Sequence, residues 1–339
     1  MRNGVFAAVL VLWGAGVCAA QGANNETKGL KKDTQRPFTE SQLRADAKTS
    51  AKPAEKIEKA AEKLDSQEPA AASNKAQGSP LMQAPAGVFS TAIADNSFFI
   101  EEAFNQEPGV VQHISNFVYL RNESFAYVLT QEWPVPNQRH QFSFTLPYLS
   151  LAGSPREHGV GDILLNYRFG AVQHANTAFA PRVSLVIPSG SNNRGLGNGS
   201  AGVQFNLPVS HRFHENWIYH LNAGATILPR ARAITLGGPV RRNINSVNLG
   251  GSLIWLARPN FNALLETFAE LGQSIDATGA VNRDKEVFMS PGVRWAINVG
   301  DLQIVPGFAV PFRLNNNAEA RGVFFYLSFE HPFGRRVKP

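Results

Sequence analysis

The sequence predicts an all-β protein: an antiparallel, up-and-down β-barrel of about 12 strands that crosses a membrane, preceded by a flexible polar arm. Three observations predict it. Between 161 and 213 the apolar side chains fall on alternate positions in three segments, with Ile163, Leu165, Tyr167 and Phe169 in the first, Val183, Leu185 and Ile187 in the second, and Val203, Phe205, Leu207 and Val209 in the third. Strand side chains point alternately to opposite faces, so each segment has one oily face and one polar, partly charged face. From residue 110 onward the connections alternate between short and long, with 121–124 alone breaking the rule, as they do where tight turns close one end of a barrel and longer loops the other. Finally, past the first 20 residues of this 339-residue chain no apolar run approaches the ~18 residues of a spanning helix. A chain of this kind enters a bilayer only as a closed barrel, where every backbone polar group has a partner.

In chain order, residues 1–20 read as a secretory signal, with Arg2, an apolar stretch from Val5 to Leu12 and a small-residue site ending at Ala20. The single cysteine, Cys18, lies inside it, so disulfides play no part in folding the exported chain. Residues 21–85 form a polar arm, disordered or partly helical, rich in Ala, Lys, Glu, Ser and Gln. Such a composition buries too little apolar surface to offset the entropy of ordering. Ile57, Ala60, Ala61 and Leu64 share one helical face there. Residues 86–109 are a pre-barrel segment. The first reading of Phe98–Phe104 and of the acidic residues Glu101, Glu102 and Glu107 is a solvated turn. A further strand, or a plug tucked into the barrel mouth where the acids neutralise lumen arginines, is the alternative.

The barrel is expected over 110–333, with strands at 110–120, 125–135, 140–149, 161–172, 179–189, 200–213, 217–230, 245–258, 261–273, 286–298, 302–313 and 322–333. Long loops rich in Gly, Asn, Arg or Ser fall at 150–160, 190–199, 231–244, 274–285 and 314–321. In the last strand Val323, Phe325, Leu327, Phe329 and Phe333 share a face, the pattern of an outer-membrane assembly signal, followed by a tail at 334–339. Trp133, Trp217, Trp255, Trp295, Tyr148 and Phe333 sit near strand ends, where interfacial aromatics belong.

With the oily faces turned outward, the lumen-lining residues are Glu132, Asp162, Arg168, Arg182, Arg212, Asn222, Arg230, Asn248, Glu266, Glu270, Arg294, Arg313 and Glu330. They make either a polar solute path or a salt-bridged network that packs a narrow barrel, since charges against low-dielectric walls need partners. The net charge is +6, yet the arginines are spread singly over many strands, which excludes a nucleic-acid interface. From residue 86 onward only Lys285 and Lys338 are lysines. The expected partners are outer-membrane lipids, lipopolysaccharide around Arg230, Arg232, Arg241 and Arg242, and the barrel-assembly machinery.

Neither a catalytic constellation, a metal site nor a cofactor is expected. GLGNGSAG at 195–202 lacks the Lys-Ser/Thr ending and the following helix of a phosphate loop. Ser210 and His211 are adjacent and point to opposite faces. His158, near Ser150 and Ser154, is the one histidine in an outer loop, and it carries the alternative of an outer-membrane lipid hydrolase.

The segments GVGDILLNYRFG (159–170) and PRVSLVIPSGSNNRGLGNGSAGVQFNLPVS (181–210) resemble the MetA-pathway-of-phenol-degradation group of bacterial outer-membrane proteins. The resemblance spans roughly 110–333. It implies a barrel in the outer membrane that passes small molecules, hydrophobic or aromatic compounds among them, without catalysis. It carries over no functional residues. A third possibility is a structural protein whose arm grips the cell wall.

Overall fold

The computed structural model describes residue 93, residues 96–315 and residues 321–333. The expected signal, the polar arm and the 334–339 tail lie outside these residues. Eighteen strand segments run in order: β1 (Val110–Leu120), β2 (Phe125–Pro134), β3 (His140–Leu151), β4 (Glu157–Val160), β5 (Ile163–Phe169), β6 (Val172–Gln173), β7 (Thr177–Phe179), β8 (Arg182–Ile187), β9 (Gly202–Asn206), β10 (Val209–His214), β11 (Trp217–Thr235), β12 (Gly238–Arg258), β13 (Phe261–Ile275), β14 (Val281–Trp295), β15 (Ile297–Val299), β16 (Leu302–Ala309), β17 (Phe312–Arg313) and β18 (Gly322–Pro332). Several are pieces of one interrupted strand. Segments β4 to β6 make the fourth barrel stave, β7 and β8 the fifth, and β9 and β10 the sixth. Segments β14 and β15 make the tenth and β16 and β17 the eleventh, so the barrel has twelve staves.

Each stave pairs antiparallel with its chain neighbours, and the ring closes by an eleven-pair ladder from Val110↔Pro332 to Leu120↔Gly322. Closure pairs every stave with a neighbour on both sides, which is the condition for a sheet to stand in lipid.

The alternation seen in the sequence sorts the side chains as expected. Outward positions leave large apolar groups uncovered: Leu185 is 55% exposed, Leu249 64% and Phe325 50%. Trp217 and Trp255 are register partners at the turn end of the wall, their rings 6.3 Å apart. Inward positions are buried, and they mix polar groups such as Gln112, Thr130, Asn166 and Glu266 with Ile114, Phe268 and Phe324. The core of this protein is therefore the filled interior of the barrel.

Three expectations need correction, one being the loop at 274–285, which is mostly strand because β13 and β14 stay paired to Ile275↔Val281 and only 276–280 turn. Residues 231–244 are not a loop. Segments β11 and β12 stay paired down to Thr235↔Gly238, joined by Leu236 and Gly237 alone. The ladder hydrogen bonds continue there because the run contains few turn formers before Leu236. The β-branched and apolar residues Ile234, Thr235 and Val240 favour strand over loop. At 21 residues β12 is about twice the 9–11 residues that cross a bilayer, so half of this hairpin stands beyond the wall. The third correction concerns 96–106, which is not a solvated turn, although Glu107 and Pro108 after it are exposed in one. Phe98, Ile100 and Ala103 are buried, and the segment threads the barrel interior.

Candidate functional site

The interior of the barrel is the site, and its organising feature is the extended segment 96–106. This stretch has no sheet partner, so its backbone groups need side-chain partners wherever water is excluded. The inward row of the wall supplies them. Asn222 acts as a surrogate strand: its Oδ1 accepts from the Glu101 N–H at 2.9 Å, and its Nδ2 donates to the Glu101 carbonyl at 2.9 Å. The Phe99 and Ile100 N–H groups donate to Glu266 Oε1 at 2.8 and 3.1 Å. Arg168 reaches three acceptors, the Glu102 carbonyl at 2.9 Å, the Phe104 carbonyl at 3.0 Å and Asn105 Oδ1 at 2.9 Å. The Ala103 N–H donates to Ser210 Oγ at 2.7 Å, and the Ala103 carbonyl accepts from Gln173 at 3.0 Å. Arg294 donates to the Asn96 carbonyl. At the turn end, the Gln106 N–H donates to Gln141 Oε1 at 2.9 Å, and Gln141 is in turn held by Glu132 at 2.6 Å.

Packing fixes the register of the segment. The Phe98 ring lies 5.3 Å from Phe324 and 5.4 Å from Tyr326, centroid to centroid, and Phe99 lies 4.6 Å from Phe324. Gly292 and Gly307 face Phe98, where a Cβ would stand 2.5 and 2.6 Å from the ring. Gly250 makes the same room for Ile100. These glycines are recesses in the wall, required by close approach.

Three arginines share one arc of the ring and three glutamates another, the second arc also carrying Arg294 and Arg313. Arg168, Arg182 and Arg212 come from three adjacent staves, the fourth to sixth, whereas Glu266, Glu270 and Glu286 come from the ninth and tenth. The segment between them is polarised to match. Its Glu101 carboxylate meets Arg182 at 2.6 Å, its carbonyls meet Arg168, and its N–H groups meet Glu266. Arg182 also donates to Asn166 and Gln204, both at 3.0 Å. Buried charges without partners would cost several kcal/mol each, and the threaded segment supplies part of the compensation.

The other residues expected in the lumen are placed as follows. Glu132 is buried, 3.9 Å from Arg168. Glu270 is buried and is the register partner of Glu286, which is paired with Arg313 at 2.6 Å. Glu330 accepts from Gln112 at 2.8 Å. Asn248 lies beside Gly224 on the wall, and Arg212 is half-buried. Arg230 lies elsewhere. It is exposed, with φ of +56°, in the bulge that shifts the β11 register between Leu228 and Ala231. The extra residue there turns its side chain away from the inward row, and alternation along the strand gives no warning of a bulge.

Asp162 does something different from its neighbours. Its carboxylate accepts from the Gly190 N–H at 3.0 Å, the Asn198 N–H at 2.7 Å and the Asn198 side chain at 2.9 Å. It thereby folds the 190–199 loop into the outer mouth, where Leu196 is fully buried. Gly190 and Gly197 are packed against each other in this latch, so close that no side chain fits on either. The Gly-Asp and Pro-Ser-Gly…Gly-rich motifs are thus two halves of one contact. Above it, Leu164, Val186, Leu228, Ala231, Ala233, Ile244 and Ile275 form a second apolar cluster. Both levels of the interior are filled.

A Ser–His pair does occur, though not the adjacent one. Ser210 Oγ is 2.7 Å from Nδ1 of His220, its register partner on β11. Both are buried, and the serine oxygen is engaged by the Ala103 N–H, so the pair anchors the threaded segment. His158 is exposed; its carbonyl accepts from Arg194 at 3.1 Å.

The segment's partners Ser210, Gln141 and Gln173 and its anchor Phe98 were not among the expected site residues. One signal for them exists in the sequence: Gly250, Gly292 and Gly307 fall on inward positions of otherwise bulky strands, which marks space reserved for another piece of chain.

No family model matches the chain, and no curated protein matches it. Among solved structures, an outer-membrane channel from Pseudomonas putida F1 superposes with a TM-score of 0.51 and 15% identity, over 68% of this chain and 98% of that one. The NanC porin gives 0.46 and 9%, over 66% and 100%. The KdgM porin gives 0.38 and 9%, over 66% and 99%. At these identities the likeness is one of fold: this chain is a closed, twelve-strand antiparallel barrel of the same kind as bacterial outer-membrane channels.

Proposed function

We propose that the protein is an outer-membrane channel for small solutes whose pore is held shut by its own residues 96–106. The observation that carries this reading is the interior itself. A barrel built only as a scaffold is filled by side chains of its wall. Here the wall keeps glycine recesses and polar groups whose partners lie on a separate, extended stretch of chain. The outward rows of uncovered Leu, Val and Phe fit acyl chains, and the aromatic pair Trp217–Trp255 fits the interface. The fold shared with the Pseudomonas putida channel supports the same location.

With the segment withdrawn, Arg168, Arg182 and Arg212 face Glu266, Glu270 and Glu286 across the lumen. Such a passage favours a solute that is both polarisable and charged, an aromatic acid over a neutral hydrocarbon. The sequence resemblance to the phenol-degradation group of barrels agrees with an aromatic solute.

The experiment is conductance in planar bilayers of the full chain and of a variant lacking 96–106, each first shown to fold by its heat-modifiable mobility. The full chain gives rare, brief openings, and the deletion gives sustained steps. A folded deletion variant that passes no ions overturns the reading. Uptake of aromatic acids and neutral aromatics into liposomes then ranks the solutes.

A further inference from the structure

The barrel wall is incomplete near its outer end, between β12 and β13. Their ladder stops at Val247↔Leu271. Beyond it the Asn245 N–H donates to the side chain of Gln273 at 2.9 Å, instead of to a neighbouring backbone. The two long hairpins meet again only farther out, where the Leu236 N–H donates to the Ala277 carbonyl at 2.9 Å and Arg242 Nε to the Gly279 carbonyl at 3.0 Å. The gap between is a cleft of about 390 Å³, within the roughly 300–1,000 Å³ typical of small-molecule sites.

Its lining is divided by chemistry. Leu264, Glu266, Phe268 and Glu270 are the buried, inward residues of β13, so Leu271 and Gln273 face outward. Their register partners Lys285 and Arg283 face outward with them. Both cations are exposed, and neither forms an ion pair among the described residues. Asp284, between them, borders the cleft from the other face, where its carboxylate accepts from Ser274 at 2.7 Å. Immediately below on the wall stand Val247 and Leu271, 51% and 56% exposed, followed by Leu249. Lys285 is one of only two lysines after residue 86. Two unpaired cations and two amide side chains thus cap an apolar strip that runs toward the middle of the wall.

We propose that this cleft binds the phosphorylated headgroup of an outer-leaflet amphiphile. The phosphate lies between Arg283 and Lys285, within reach of Gln273 and Asn245, and the acyl chains run down Val247, Leu271 and Leu249. Charge-assisted hydrogen bonds from arginine and lysine hold phosphate well. The adjoining strip would be wasted on a soluble anion, which favours a lipid over free phosphate. The inference rests on the membrane location proposed above.

The test is native mass spectrometry of the full chain in detergent, after incubation with lipid A, with its dephosphorylated form, or with inorganic phosphate. The wild type retains one lipid A, and Arg283→Gln/Lys285→Gln loses retention by about tenfold or more. Each single variant shifts the same way and serves if the double variant fails to fold. Equal retention by folded wild type and variant overturns the proposal. So does equal retention of dephosphorylated lipid, or binding of inorganic phosphate as tight as that of lipid A. Conductance of the same preparations is read separately: a protein that retains lipid A yet never conducts refutes the channel and leaves this site standing.

Discussion

Truncating Phe98 to alanine is the most direct perturbation of the threaded segment. The ring is fully buried, in contact with Phe324 and Tyr326, and seated in the recesses left by Gly292 and Gly307. Gly292 and Gly307 have no side chain with which to refill the space. Removing a buried Phe typically costs about 3–5 kcal/mol. The barrel ladders are untouched, so the loss falls on the docked state of the segment relative to the withdrawn one. At about 1.4 kcal/mol per tenfold, the withdrawn population rises roughly one hundred- to a few thousand-fold. The assay is single-channel recording of Phe98→Ala beside the wild type, with open probability as the readout. The reasoning is refuted if open probability is unchanged while deletion of 96–106 opens the pore. In that case the segment blocks the lumen without depending on its aromatic anchor.

The same outcome is expected from the wall side. Gly307→Val places a side chain where Phe98 now sits and raises open probability. Asp162→Ala removes three acceptor contacts from the 190–199 loop, at a local cost of about 1–3 kcal/mol. Hydrogen exchange of the Gly190 and Asn198 amides then quickens while the barrel ladders keep their protection. Glu286→Gln neutralises the carboxylate that Arg313 meets at 2.6 Å inside the barrel, and lowers the thermal unfolding temperature measured in detergent. At the tip of the β13–β14 hairpin, a hydrogen bond from the Thr278 hydroxyl, then others from the Thr278 and Ala280 N–H groups, hold the exposed Asp276 carboxyl below the usual aspartate range. A depressed carboxylate contributes order above its unfolded pKa and loses it as pH falls through the folded one. The Ala280 amide should therefore stay protected at neutral pH and exchange faster only under acid, below the ordinary aspartate range.

The barrel was legible because alternation carries two independent facts at once, the strand and the side it turns to lipid. Twelve staves and the inward rows follow from it. The interruptions at 161–162 and 170–171 were not legible, since Val160 faces out and Leu164 in, while Arg168 and Gln173 both face in: each interruption shifts the alternation by one residue without a sequence signal. The β11–β12 extension was missed for the opposite reason: arginines at 230, 232, 241 and 242 look like a loop, yet Arg232 and Arg241 are register partners in an intact hairpin. The lumen was legible as chemistry but not as contacts. Arg182 and Glu266 were both expected to face inward, and nothing in their spacing shows that Glu101 and the Phe99 N–H would meet them. Those contacts span 81 and 167 positions of the chain. Segment 96–106 carries no periodicity of its own, because its backbone is matched by scattered side chains of several staves, from Gln141 to Arg294, instead of by one neighbouring strand.

The hydrogen bond from the Val110 N–H to the Glu107 carbonyl, 3.1 Å long, joins the end of the occluding stretch directly to the first stave. An occupant leashed so closely competes for its own berth as if dissolved at millimolar strength. A visiting molecule with only micromolar abundance and ordinary affinity loses that contest. Passage then belongs to compounds met in bulk, or to an outside tug on the leash, and dilute guests alone will not unlock the cylinder.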